Sequence, residues 1–331
     1  MEQGVLQLTL TWDGRRIVAA AVASTRPAAA RALRGLPLER ALEVVPRLFG
    51  ICRFAQEAAA RLSVCAARAE RSAVAATSLA AALAVALEAI GEHLWRLLLD
   101  WPPLCGRAAR QSEFLRWRKQ LLAVDDAAAA AALGGRLDAW LDAETTPLSE
   151  QRQAVATVLL LPRLSAAEWA AQLDAEAIAG LPTVAGQPAE TGALARHAAK
   201  PELAALVASG QRTQARLAAR YADLRWLAQA LAAPAQLSAW LDAAAVADGC
   251  GLARVETARG TLLHRVELDG DRIARYLIVA PTEWNFHPQG AFVRELGGSP
   301  ARTRAEALLA ARRVALSLDP CVPCELAVND A

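Results

Sequence analysis

Cys321 and Cys324, held two residues apart in Cys321-Val322-Pro323-Cys324, form the densest cluster of reactive side chains in the chain. Two thiols at this spacing can converge on one metal or close a redox disulfide. The redox reading wants a helix after the pair to steady the attacking thiolate, and only seven residues follow Cys324. A tetrahedral zinc site wants two more ligands, and the nearest histidine is His287. Two packed core thiols are the third possibility. Cys52 stands at the expected head of a helix, where the positive end of the dipole favours a thiolate. Cys65, Cys105 and Cys250 read as small buried hydrophobes, and His93 and His197 as surface or core residues in or beside helices. His264 and His287 lie in more unusual surroundings, yet a lone histidine is more often structural. No nucleophile elbow, Walker loop, HExxH helix or dinucleotide fingerprint occurs.

The elements that must position these residues follow from periodicity. Leu6, Leu8, Leu10 and Trp12 alternate, Asp13-Gly14 marks a tight turn, and Ile17 to Val22 returns as an apolar strand. From Pro27 to about Ala247 the period becomes helical. Helices are expected over Phe54–Arg71, Ala73–Leu98, Ser112–Val124, Ala127–Asp142 and Ser149–Leu161, with breaks at Trp101-Pro102-Pro103, Gly134-Gly135, Thr146-Pro147 and Leu161-Pro162. The longest periodic stretch is Glu202–Leu231, and Gly180–Gly192 is the expected internal loop. After Gly249-Cys250-Gly251 short strands return, turning at Asp269-Gly270-Asp271, and a helix over Thr303–Leu316 leads into the C-terminal cysteines. The expectation is an α+β fold in one domain over residues 1–331, with short antiparallel strands near both termini. It comprises an N-terminal hairpin (1–25), a predominantly helical body (26–248) and a unit of strands, helix and cysteine motif (249–331).

Composition narrows the class. The 331 residues carry 36 basic and 34 acidic side chains, a net charge of +2, which argues against a nucleic-acid partner. A hydrophobic content of 55% with 21% charged residues excludes a disordered chain. Arginine outnumbers lysine by 34 to 2, a coding bias without functional content. The Ala-rich stretch Ala73–Ile90 is expected to be a buried helix and not a membrane span. With no signal segment at Met1-Glu2-Gln3 and scattered cysteines, the expected location is the cytoplasm, with reduced thiols.

Four segments, taken together, carry a family resemblance. They are Arg47-Leu48-Phe49-Gly50-Ile51-Cys52, Glu256 to His264, Ala280-Pro281-Thr282-Glu283-Trp284-Asn285 and Asp319-Pro320-Cys321-Val322-Pro323-Cys324, with Glu190 to Arg196 as a fifth. In order and content they resemble the catalytic large subunit of nickel–iron hydrogenases. The resemblance implies that Cys321 occupies a nickel-only position, while Cys52 and Cys324 occupy the positions that bridge nickel and iron. Where those enzymes have the other N-terminal cysteine, this chain has Phe49; Gln56 and Ala327 stand at the two histidine positions. Arg259 and Thr282 match residues that hydrogen-bond the cyanide ligands of the iron, and Pro281 and Ala258 match the lining of that pocket.

With the nickel set halved and the iron pair kept, the pattern resembles the HupK/HoxV family of hydrogenase expression/formation accessory proteins. The resemblance implies a hydrogenase-large-subunit-like fold and a non-enzymatic assembly scaffold. Its transient cargo would be iron with cyanide and carbon monoxide ligands, and nickel is not expected to bind. The implied partners are the maturation chaperone and iron-carrier proteins and the hydrogenase large-subunit precursor, with neither nucleic acid nor membrane. A metal-free adaptor and a divergent hydrogenase catalytic subunit are the alternatives. Handing over cargo also implies that the segment from Asp319 to Ala331 is mobile.

Overall fold

The alternation of Leu6, Leu8 and Leu10 becomes β1 (Leu6–Trp12), which pairs antiparallel with β2 (Ile17–Ser24). The Asp13 carboxylate closes the turn by accepting from Arg15 N and Arg16 N, each at 2.9 Å. The computed structural model describes residues 4–26, 29–144, 158–172 and 181–331. Within them the helical body runs α1 (Leu38–Leu48), α2 (Arg53–Ala67), α3 (Arg71–Trp95), α4 (Trp101–Leu104), α5 (Gln111–Leu122) and α6 (Ala127–Ala143). Then follow β3 (Leu159–Leu160), α7 (Ala166–Gln172), β4 (Ala189–Glu190), α8 (Ala193–His197), α9 (Pro201–Ala208) and α10 (Arg212–Ala232). The C-terminal part contains β5 (Leu241–Ala247), β6 (Cys250–Thr257), β7 (Gly260–Asp269), β8 (Arg272–Val279), α11 (Pro281–Asn285), α12 (Ala291–Leu296), α13 (Arg304–Leu318) and β9 (Cys324–Asp330).

Strands β5 to β8 form one antiparallel sheet in chain order. The main core lies where α2, α3, α6 and α10 meet this sheet, with Leu62, Ile90, Leu133, Leu224 and Val255 fully or almost fully buried. Helix α2 approaches β6 closely because Gly251 carries no side chain; a Cβ there would lie 2.2 Å from Ser63 O. That contact presses the C-terminal end of α2, opposite to the end that carries Cys52, against the sheet. A second core gathers Leu8 and Leu10 of β1 with Phe292, Val314 and Leu318.

Several expectations are corrected in detail. Leu241–Ala247, expected to be helical, is the outer strand of the main sheet; β-branching is not what places it there, since it pairs with β6 through its backbone. Gly134-Gly135 does not stop α6. A Cβ at Gly134 would lie 2.3 Å from Ala228 O, so this glycine permits a close crossing with α10. The periodic stretch Glu202–Leu231 divides into α9 and α10 at residues 209–211. The expected loop Gly180–Gly192 contains β4 among its described residues. Residues 149–157 of the helix expected over Ser149–Leu161, and the break at Thr146-Pro147, lie outside the described residues; Leu159–Leu160 is strand.

Helix α3 does not end before Trp101-Pro102-Pro103 but passes through a π-helical turn, Arg96–Asp100, into α4. Both prolines fall in the first turn of α4, where missing N–H groups cost nothing. The C-terminal segment, expected to be mobile, is strand β9, which pairs parallel with β1 and places Cys324 opposite Leu6. The strands near the termini are therefore not all antiparallel. Among the described residues no helix is long and apolar enough to cross a membrane.

Candidate metal centre

Two loops and two helix heads meet at a small cavity. Cys52 is the N-cap of α2, Arg259 sits in the tight β6–β7 turn, Pro281 and Thr282 open α11, and Cys321 follows α13. Cys52, Arg259, Pro281, Thr282 and Cys321 all line the cavity, together with Phe49 and Gln56. The Thr282 hydroxyl donates to Cys321 Sγ at 3.0 Å and accepts from Cys321 N at 3.3 Å. This double contact aims Cys321 inward. Ala258 lines an adjoining cavity on the far side of Cys52, with Glu88 and Glu92. Cys324 is not among the residues that line either one. Its thiol donates to Val322 O at 3.8 Å and the residue packs against the core beneath β1. The pair facing the cavity is thus Cys52 with Cys321, whereas Cys52 with Cys324 was the expected iron pair. The cause is the register of β9, which ties Cys324 to Leu6.

Burial, reinforced by the neighbouring charge of Cys321, pushes the Cys52 thiol up to about 12. Burial likewise raises Cys324 to about 11. The helix-head argument for a Cys52 thiolate is therefore outweighed: taking a thiolate out of water costs more than the dipole returns. The head of α2 is instead capped by Glu88 of α3, which accepts from Phe54 N at 2.9 Å and Ala55 N at 3.1 Å. Burial lifts Glu88 to about 7 against those two hydrogen bonds.

Arg259 is buried and donates to Glu92 Oε2 at 2.5 Å. Its Nε lies 3.4 Å from Asp319 Oδ1 without a hydrogen-bond partner. Asp319 is the left-handed C-cap of α13 (φ 57°). It accepts from Arg96 Nε at 2.7 Å and Arg220 Nη1 at 2.9 Å. Burial works to raise the Asp319 pKa, but Arg259, Arg96 and Arg220 outweigh it and hold the carboxyl well below the usual range. Arg96 opens the π turn, so that irregularity directs a guanidinium at the cysteine loop. Asn285 knits three of the resembling segments together: Oδ1 accepts from Thr191 N at 2.8 Å, and Nδ2 donates to Leu318 O at 3.1 Å and to Arg259 O at 3.4 Å.

Behind this centre lies a buried ionic ladder. On α10, Arg212 and Arg216 each pair with both Glu190 and Glu295. Asp223, one turn beyond Arg220, accepts from Arg196 and lies 2.8 Å from a ring nitrogen of both His93 and His197. Those two histidines are thereby structural. Cys250 is buried, and Cys65 and Cys105 are half-buried, away from the cavity. His264 bridges Gln56 Oε1 at 2.9 Å and the Tyr276 hydroxyl at 2.8 Å, and Gln56 Nε2 donates to Cys52 Sγ at 3.7 Å. Asp319, Arg96, Arg220 and Glu92 were not singled out from sequence. The four-residue spacing of Arg212, Arg216 and Arg220 was the one available signal, hidden by the Arg-rich composition.

The donor set suits a soft metal carrying anionic ligands. Two thiols share a small cavity with a guanidinium and a hydroxyl. Among the described residues, no three His, Cys, Asp or Glu side chains converge as a ready-made metal site.

Comparison with known proteins gives the family. The chain is 35% identical to the hydrogenase expression/formation protein HupK of Rhizobium leguminosarum bv. viciae, over 99% of this chain and 97% of that one. This chain belongs to the HupK/HoxV family of hydrogenase expression/formation proteins. Other members it resembles are HupK of Azotobacter vinelandii, 34% identical over 92% of each chain, and HoxV of Cupriavidus necator, 31% identical over 91% of each. Residues 173–327 match the nickel-dependent hydrogenase family. The fold is that of a hydrogenase large subunit. It is similar to the Ni-Fe-Se hydrogenase of Desulfomicrobium baculatum at a TM-score of 0.61 and 13% identity, covering 94% of this chain and 95% of that one. The [NiFeSe] hydrogenase of Desulfovibrio vulgaris Hildenborough gives 0.59 and 14%, covering 96% and 98%. Membership places this chain in hydrogenase maturation.

Proposed function

We propose that the chain is a non-enzymatic scaffold of hydrogenase maturation that transiently holds an iron dicyano-carbonyl fragment. Cys52 and Cys321 take it by sulfur, Thr282 and Arg259 receive its cyanide nitrogens, and Pro281 shapes the wall, with Ala258 lining the adjoining cavity. Cys324, three residues beyond Cys321, is the reserve thiol for passing the fragment on. The single observation that carries this reading is the convergence of Cys52, Cys321, Thr282 and Arg259 on one cavity. Phe49 stands beside them and offers no donor atom, so nickel is left without a ligand there. The partners are the maturation chaperone and iron-carrier proteins, which load the scaffold, and the large-subunit precursor, which unloads it, in the cytoplasm.

The test is metal analysis of the chain purified after co-expression with the maturation proteins. Stoichiometric iron without nickel, lost in Cys52→Ser, is the expected result. Nickel together with hydrogen uptake would instead identify a divergent catalytic subunit. A metal-free adaptor is the second reading, favoured by the lack of three convergent ligands among the described residues. It predicts capture of maturation proteins by a chain that never carries iron.

A further inference from the structure

The thiol cavity adjoins a much larger groove. The groove, of about 420 Å³, opens between the N-terminal hairpin and the β8–α11 connection. Its walls include Leu6, Val22, Phe49 and Phe286, with Arg26 and Arg31. The inner cavity is only about 20 Å³. That is little more than the roughly 10–15 Å³ needed for one water. Three residues line both spaces: Arg26, Phe49 and Thr282. Thr282 is held by its two contacts with Cys321, and Arg26 and Phe49 complete the partition.

Arg26 lies just past the end of β2. Its side chain is 17% exposed and lies 3.5 Å from Glu283 Oε1 through Nη1. That approach is a long ion pair and not a hydrogen bond, and the buried Nη1 has no hydrogen-bond partner. The other oxygen of Glu283 is engaged, accepting from Ala280 N at 2.6 Å. The cavity wall therefore holds two guanidiniums, Arg26 and Arg259. Arg259 is engaged by Glu92 and Asp319, whereas Arg26 Nη1 has only its long ion pair with Glu283. Arg26 is thus the donor an entering anion can claim, and a planar guanidinium suits an acceptor at the end of a cyanide.

We propose that Arg26 is the second guanidinium of the cargo site, taking the anionic metal fragment from the groove and admitting it past Phe49 to Cys52 and Cys321. The proposal rests on the carrier reading above and deepens it. The cargo class is a small anionic complex whose outward ligands accept hydrogen bonds. Entry is from the hairpin side, so the partner that delivers it must meet β2 and the start of α11.

The test compares infrared spectra of wild type, Arg26→Gln, Arg26→Lys and Glu283→Gln, each co-expressed with the maturation proteins and checked for folding by circular dichroism. Losing one charge-assisted hydrogen bond corresponds to about a tenfold loss of retention. Arg26→Gln should therefore lower the cyanide-band intensity per folded protein about tenfold. Arg26→Lys should keep part of it with shifted cyanide bands. Glu283→Gln breaks the same ion pair but frees Arg26, so its retention should equal or exceed wild type. A merely structural role for the pair would make Arg26→Gln and Glu283→Gln lose cargo alike, and that result overturns the proposal. Unshifted bands at wild-type intensity in both Arg26 variants overturn it as well. Should Arg26→Gln fail to fold, Arg26→Lys and Glu283→Gln still decide. Bands missing from wild type itself would refute the carrier reading, a different failure from bands present and indifferent to Arg26.

Discussion

Thr282 and His264 show how single side chains tune the centre. Thr282 both donates to Cys321 Sγ and accepts from Cys321 N, so Thr282→Val strands two groups at once. A loss of about 1–2 kcal/mol in urea unfolding is expected, with Thr282→Ser close to wild type. His264 is fully buried, and burial pushes its pKa down to about 3. The folded protein keeps this ring neutral while the unfolded chain takes up a proton below about 6.5. Its contribution to stability is therefore complete above that pH and is lost as pH falls from about 6.5 towards 3. Urea titrations at pH 6 and pH 4 should show a gentler acid loss in His264→Gln, by up to about 1.4 kcal/mol per pH unit. An identical slope in variant and wild type would contradict the assignment. At this scale the sequence was readable where a motif carried chemistry: Cys52, Cys321, Arg259 and Thr282 share one cavity. The protonation of Cys52 was not readable, because it depends on how completely the folded chain excludes water from the sulfur.

Elements place these residues through close contacts and irregularities that local patterns conceal. Asp319 caps α13 and binds Arg96 from the π turn and Arg220 from α10. Asp319→Asn keeps a residue that tolerates the left-handed cap but removes the charge, leaving three buried guanidiniums undercompensated. A cost of about 3–5 kcal/mol is expected in equilibrium denaturation, far above that of an exposed pair. The crossing of α6 and α10 depends on Gly134, and Gly134→Ala would drive a methyl into Ala228 O. It should lower stability by about 1–3 kcal/mol, whereas Gly135→Ala, with open space beside it, should not. Periodicity identified most helices because apolar spacing survives alanine enrichment. It misread Leu241–Ala247, where an Ala-rich strand and an Ala-rich helix look alike and only pairing with β6 decides. It also treated Gly134 as a stop, since the reason for that glycine lies on another helix.

At the level of the whole molecule, the two ends of the chain build one sheet, β2-β1-β9, beside the thiol cavity. Sequence alone already suggested a single α+β body, because strands are expected towards both ends of the chain. It did not reveal that β9 runs parallel to β1: Cys324, Leu326 and Val328 alternate as a strand would, but alternation does not say which strand is the partner or in which direction it runs. That pairing makes hydrogen exchange informative: β9 amides bonded to β1 should be protected well above an open tail, and tail-like exchange from Cys324 to Asp330 would contradict it. If the proposed fragment is passed on, residues 320–323 can move while β9, including Cys324, stays docked on β1. The central claim is the proposal that Cys52 and Cys321, with Thr282 and Arg259, hold an iron dicyano-carbonyl fragment. Its most direct test is the infrared spectrum of the full chain after co-expression with the maturation proteins. The account predicts cyanide and carbonyl bands in wild type that disappear in folded Cys52→Ser. Their absence from well-folded wild type, or their persistence unchanged in Cys52→Ser, would contradict it.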